Sequence, residues 1–396
     1  MSRLLIIGAS ILQLPAIKKA KELGHYVAVA DYNPEAVGIP YADEFYNAST
    51  IDINAICDVA EKFNPDGIMT LATDMPMRSI AAATTKLGLP GISMDTAIKS
   101  TDKGEMIKAF KEHNVESPWF YIIQDESELD MLVPNLTFPC ILKPTDNAGS
   151  RGVTLVNSLE ELFDAYRYSV SQSRGGSVIL EEYMTGPEVS VEIMVVDNTP
   201  YVLAVTDKLT TGAPFFVEMG HNQPSMLPPS DVDKIKKLAR RAVKSVGINC
   251  GPAHVEIKLT PEGPKMVELG ARMGGDCITT HLVPLSTGID MIKATIDVSL
   301  GCKPLIEPCY KKGSAIRFIK APLGILKAID GVEDIKELKD IKEVSITKKI
   351  GEEITAIHSS IDRCGFIIAQ SADANMAIQT CELAISKLTI KVSENE

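Results

Sequence analysis

The sequence predicts an α/β and α+β protein of several domains, with a parallel α/β layer leading the chain. Three observations predict it. Short apolar strands alternate with amphipathic helices over residues 4–71, the pattern of a parallel sheet with crossover helices. Residues 188–196 alternate apolar and polar positions, with Val189, Val191, Ile193 and Val195 on one side, as a half-buried antiparallel strand does. VEIKL at 255–259 and KMVEL at 265–269 alternate in the same way about a polar turn at 260–264, as hairpin arms do.

At 396 residues the chain is long enough for two or three domains. A net charge of −12 argues against a nucleic-acid or anionic-membrane surface as the main partner, while leaving room for a local basic pocket. The eight cysteines are scattered, with no CxxC pair and no zinc spacing, and read as reduced thiols of a cytoplasmic protein. The apolar start is interrupted by Gly8 and reads as a first buried strand rather than a signal peptide. No apolar run approaches bilayer length.

In order, residues 4–7 form the first strand. A helix follows with Pro15 in its first turn, Ala16, Ile17, Ala20 and Leu23 inward, and Gly24 ending it. Strand 27–30 ends at Asp31, and a second helix (Ala55, Ile56, Val59, Ala60, Phe63) leads to strand 67–71. A dinucleotide fingerprint would need glycines where Ser10 and Gln13 stand, so this layer is read as holding a small substrate or serving as scaffold. The pattern loosens over 89–100, and a helix opens near 100–103. Strands at 120–123 and 138–142 follow, the latter running into Lys143. The small-residue loop 146–153 is either a phosphate cradle or a plain turn.

Ser158 and Glu161 have the spacing of a capping box for a helix to about 171. Strand 177–183 carries Glu181 and Glu182, and 201–209 pairs with 188–196. The Gly/Pro-punctuated stretch 210–225, rich in Phe215, Phe216 and Met219, reads as a loop over a site; its His221 is a substrate contact or, more simply, a solvated loop histidine. Residues 231–246 form an amphipathic helix, and 287–298 a buried one. From about 308 a smaller unit shows strands at 315–318, 344–348 and 364–369, a turn at Gly324, and a last helix at 374–387. The hairpin places Glu256 and Glu268 on neighbouring strands. Such a pair is either a hard-oxygen site for Mg²⁺ or two surface glutamates.

Lys103, Lys143, the loop 146–153, Glu181-Glu182-Tyr183-Met184, Glu188, Glu256, and Glu268 with Arg272 together resemble the ATP-grasp superfamily. The order and spacing of the set are specific although no member is. The resemblance covers nearly the whole chain. It implies an ATP-grasp fold with an N-terminal parallel α/β (Rossmann-like) domain at 1–98 and an ATP-grasp domain at 99–307, its clamp subdomain at about 115–185. A small C-terminal α+β unit at 308–396 would pack on that core. DKLTTGAPFFVEMGHNQPS and VELGARMGGDCITTHLVPLSTGID look most like the carboxylate–amine ligases, among them the L-amino-acid (dipeptide) ligases and carbamoyl-phosphate-synthase-like proteins.

The resemblance implies roles. Lys103 and Lys143 would pair with ATP phosphates, and Gly149, Ser150, Arg151 and Gly152 would close over them. Glu181, with Glu182 and Met184, would read the adenine edge, and Glu188 the ribose. Glu256 and Glu268 would hold Mg²⁺ (or Mn²⁺), with Arg272 at the transferred phosphoryl group and His221 near the acyl phosphate or amine. Gly274, Gly275 and Asp276 would line the substrate pocket, where an acid would favour a polar or cationic substrate. One departure concerns the metal: Glu268-Leu269-Gly270 stands where many relatives carry Glu-x-Asn. The expected activity is ATP-dependent ligation of small-molecule carboxylates and amines through an acyl phosphate, in a possible homodimer. Alternatives are another acceptor or acid, as in formate activation or carbamoyl-phosphate chemistry, or a nucleotide-binding regulator without turnover.

Overall fold

The computed structural model describes residues 1–147 and 151–393. The leading layer is a four-stranded sheet of β1 (Arg3–Ile7), β2 (Tyr26–Asp31), β3 (Glu44–Asn47) and β4 (Gly67–Met69), all parallel, in the order β3-β2-β1-β4. Strand β3 was not expected from the sequence: EFYN is a short, half-buried edge with no apolar run to announce it. The region around 89–100 also holds more order than its composition suggests. Helix Met77–Leu87 buries an alanine-rich face and stops at Gly88, whose φ of 65° only glycine adopts freely. Helix Met94–Lys99 is capped by the Ser93 side chain, and helix Lys103–Glu112 by Asp102. In the first strand–helix turn the Gln13 side chain donates to Leu71 O at 2.7 Å and accepts from the Ser10 hydroxyl at 2.7 Å, filling the turn that a dinucleotide would need open.

A small antiparallel sheet follows, made of β5 (Phe120–Ile123), β6 (Cys140–Pro144), β7 (Thr154–Val156) and β8 (Val178–Glu182), ordered β5-β8-β6-β7. Its own core of Ile123, Leu129, Leu142, Val156, Leu162 and Leu180 is covered by helices Glu126–Leu132 and Leu159–Gln172. Each such buried Leu or Ile contributes about 1.5–3 kcal/mol. The expected capping box is not formed. Ser158 makes no side-chain cap, and Glu161 instead accepts from the Asn157 backbone N–H at 2.9 Å.

The largest sheet is antiparallel and eight-stranded. It contains β9 (Glu188–Val196), β10 (Thr199–Thr210), β11 (Glu218–Gln223), β12 (Gly251–Thr260), β13 (Gly263–Gly270) and β14 (Gly313–Phe318). The remaining strands are β15 (Gly324–Asp330), β16 (Ile341–Ile346), β17 (Glu353–Ile354), β18 (Gly365–Ser371) and β19 (Thr389–Ser393); β16 and β18 complete the order β13-β12-β9-β10-β11-β14-β18-β16. The last part of the chain therefore extends the central sheet, with β15, β17 and β19 as a separate three-stranded flap.

Four expectations change here. Strand β9 is buried on both faces: Val189, Val191, Ile193 and Val195 share a core with Ile235 and Leu238 of helix Pro229–Ser245, while Met194 packs with Leu4 and Ile6 of the leading layer. The stretch 210–225 is loop only in its first half, since β11 pairs with both β10 and β14. The buried helix at 287–298 is two helices, Val283–Thr287 and Met291–Ser299, parted by Gly288 at φ 80° and restarted by an Asp290 cap. Gly324 opens β15 instead of forming a turn. Among the described residues no helix is long and apolar enough to cross a membrane.

The connection from β8 to β9 passes tightly over the hairpin. Gly186 has φ 122°, and a Cβ there would lie 2.0 Å from Leu259 O. Gly186→Ala is expected to cost about 1–3 kcal/mol through combined strain and clash, read as a lower urea midpoint with unchanged slope.

Candidate active site

The hairpin of β12 and β13 sets the geometry. Glu256 faces Glu268 directly across the ladder, so both carboxylates leave the same sheet surface side by side. Like charges so placed repel, and each is compensated by a lysine from another element. Glu268 is 2.8 Å from Lys103 Nζ, at the start of helix Lys103–Glu112. Glu256 is 3.0 Å from Lys208 Nζ on β10. Lys208 is 4% exposed and also reaches Glu188 at 2.8 Å and Glu218 at 3.5 Å. Burial alone would lower its pKa, but Glu256, Glu188 and Glu218 together raise it well above the usual lysine range. Burial opposes ionisation of Glu256, and Lys208 and His254 reverse this. Glu268 is likewise held below the ordinary value, burial being outweighed by Lys103.

Beneath the pair, His254 binds Glu192 at 2.6 Å through Nδ1 and Glu256 at 3.2 Å through Nε2. Burial favours the neutral ring, yet Glu192 and Glu256 push its pKa up to about 9. The imidazolium is thus a fixed positive charge on the hairpin strand β12, two residues before Glu256, at neutral pH. Gly274 packs on it, for a Cβ there would lie 2.5 Å from His254 Nδ1, while Gly275 has open space.

The other expected residues lie on the small sheet and its borders. Lys143 and Glu181 form one buried pair at 2.5 Å, so the side chains expected to serve phosphate and base separately are partners here. Lys103 also donates to Asn147 O at 3.0 Å, tying the helix start to the edge of the small-residue loop. Glu182 binds Lys265 at 2.8 Å, Met184 is buried, and Glu188 is shared by Lys208 and Lys258, the latter at 3.2 Å. Gly149 and Ser150 lie outside the described residues. Arg151 is exposed, and Gly152 has φ 78° with its Cβ side filled by Pro144.

Arg272 is gripped bidentately by Asp74, Nε at 3.0 Å and Nη2 at 2.9 Å. The space left by the missing side chain of Gly270 is taken by that Asp74 carboxylate. Asp276 is bound bidentately by Arg363 at 2.8 and 2.9 Å and lies 3.6 Å from His221 Nε2. Burial would raise its pKa, but His221 and Arg363 hold the carboxyl well below its ordinary value. The Arg363 guanidinium lies 3.6 Å over the Phe318 ring. The solvated loop histidine is corrected: His221 sits on β11, 1% exposed, because a central strand between β10 and β14 has no solvent face there.

Sequence reasoning missed Lys208, Asp74, Glu192, Glu218, His254 and Arg363. Glu218 had a signal in lying within the stretch 210–225 that drew notice for His221, and Lys208 in lying within the longer segment 207–225 that carries the resemblance. Asp74 and Arg363 had none, being paired with partners 198 and 87 residues away. Among the described residues no cluster of three or more His, Cys, Asp or Glu is disposed to hold a metal ion. Two hard carboxylates fit Mg²⁺ only if phosphate oxygens and water complete the shell, its usual habit.

The ATP-grasp domain profile matches residues 136–280, and that of the L-amino acid ligase C-terminal domain 2 matches 317–393. Residues 136–280 thus form an ATP-grasp domain, the domain of ATP-dependent ligases. Its relatives include the alanine–anticapsin ligase of Bacillus subtilis (strain 168), 27% identical over 73% of this chain and 66% of that enzyme, so the match spans just under two thirds of the relative's length. The crystal structure of an L-amino acid ligase from Bacillus licheniformis superposes with a TM-score of 0.85 at 24% identity, covering 100% of this chain and 99% of the other. That of phosphoribosylglycinamide synthetase from Anaerococcus prevotii gives 0.80 at 26% identity, over 99% and 100%.

Two outcomes are expected of this ATP-grasp site. Lys208→Met leaves buried carboxylates uncompensated and should cost about 3–5 kcal/mol in unfolding free energy without divalent metal, measured by urea titration. Because the His254 pKa is raised, its stabilisation is full below about 6.5 and is lost as pH rises through about 9. NMR of the imidazole in metal-free protein should report that titration, and Glu192→Gln should move it down.

Proposed function

We propose that the chain is a carboxylate–amine ligase that joins amino-acid-like substrates through an acyl phosphate. The observation that carries this reading is the in-register pair Glu256 and Glu268, each balanced by a lysine able to change partners. When a nucleotide triphosphate enters, Lys103 and Lys143 turn from Glu268 and Glu181 to phosphate oxygens. Glu268 so freed would, with Glu256, hold a divalent cation, which would replace the compensation that Lys103 gave it. Bound Mg²⁺ would neutralise phosphate charge during transfer.

The chain's own residues do the rest. Arg272 faces the charge that develops as a substrate carboxylate oxygen attacks the γ-phosphorus and the bond to the β–γ bridging oxygen breaks, releasing ADP. An amine then attacks the acyl carbon, loses a proton, and phosphate leaves. Glu188 is placed for ribose hydroxyls once Lys208 and Lys258 share it with the sugar. The Asp276–Arg363 pair beside His221 makes the substrate side polar and charged, which supports amino-acid-like ligands, as does the likeness of 317–393 to L-amino acid ligases.

The test is ADP and phosphate release from MgATP across amino acids supplied singly and in pairs, with mass spectrometry of products. Release requiring two amino acids and yielding an amide-linked product is expected. ATP binding without release for any carboxylate would overturn the ligase reading.

A further inference from the structure

The guanidinium of Arg272 is held from a different layer of the molecule. Asp74 lies in the loop between β4 and helix Met77–Leu87, 198 residues away in sequence, and both its carboxylate oxygens engage Arg272. A planar fork against a planar carboxylate fixes the position and the plane of the guanidinium together. The third nitrogen, Nη1, is left with a 3.3 Å contact to Met273 O, near the outer limit for such a bond. It is the donor most easily turned to a new acceptor.

Gly270 gives an independent observation. It sits in β13 outside the left-handed region, so its backbone does not call for glycine. Yet a Cβ there would lie 2.5 Å from Asp74 Oδ1 and 3.0 Å from Arg272 Nε. The pair is what forbids a side chain at this position. The hairpin that carries Glu268 two residues earlier has therefore been left bare at the point where the leading layer reaches in.

We propose that Asp74 is a positioning residue for phosphoryl transfer: it holds Nε and Nη2 of Arg272 so that Nη1 is presented to the transferring phosphoryl oxygens. Gly270 supplies the space that lets it do so. The inference rests on the ligase reading above, and it makes the leading layer part of the catalytic apparatus rather than a substrate platform alone.

The test is steady-state kinetics of the full chain with Gly270→Ala, Asp74→Ala and the double variant. Gly270→Ala keeps every charge and adds one methyl beside the pair, so a folded protein is expected. Each single variant should lose about 10²-fold in kcat, as a misplacement of about 1 Å does. KM for ATP should stay within about twofold, because only a transition-state contact is displaced. The double variant should be no slower than Asp74→Ala, since Arg272, once released from Asp74, can give way to the added methyl. Losses that multiply in the double variant, or a Gly270→Ala protein with unchanged kcat, overturn the positioning role while leaving the ligase reading intact. A wild type that releases no ADP with any acid overturns both.

Discussion

Two carboxylates face each other across one hairpin, and the rest of the site exists to make that placement tolerable. Glu256 and Glu268 are neighbours by strand register, so their like charges are set side by side. Lys208, Lys103 and a protonated His254 approach from three directions and balance them in a low-dielectric setting. Such balance is costly to assemble and easily exchanged, which suits the proposed uptake of a polyanion and a divalent cation together.

The compensating groups come from separate parts of the chain, and this gives the multi-sheet architecture its purpose. Lys103 opens a helix capped by Asp102, Lys208 lies on a central strand, Asp74 lies in the loop after β4 of the leading layer, and Arg363 precedes β18. Because β14, β18 and β16 continue the central sheet, the last part of the chain is fixed relative to Asp276 and His221 instead of swinging free. The proposed substrate side is thereby tied to the same frame as the hairpin carboxylates.

Sequence reasoning failed at His221 and β9 because of burial. His221 was read as solvated because its neighbours carry Gly and Pro, yet β11 is clamped between two strands. Strand β9 was read as half-buried because its polar positions include Ser190 and Glu192. Both are fully buried, Glu192 because His254 supplies it with a partner. The capping box at Ser158 fails for a local reason: Glu161 turns its carboxylate to Asn157 instead. The edge strand β3 and the alanine-rich helix Met77–Leu87 carry too little hydrophobic contrast to be seen in one dimension.

The sequence by itself determined the periodic elements: the alternation that makes the leading layer parallel, and the apolar–polar alternation of the two hairpin arms, whereas the bulge between Glu256 and Ile257 that sets Glu256 opposite Glu268 breaks that period. The two alternations are local consequences of backbone geometry, with periods short enough to read along the chain. It also yielded the set of residues that resembles the ATP-grasp superfamily. Only the tertiary structure decided which charges meet. The pairs Asp74–Arg272, Asp276–Arg363 and Glu192–His254 join residues far apart in sequence, and electrostatic compensation acts through space, so no spacing along the chain could announce them.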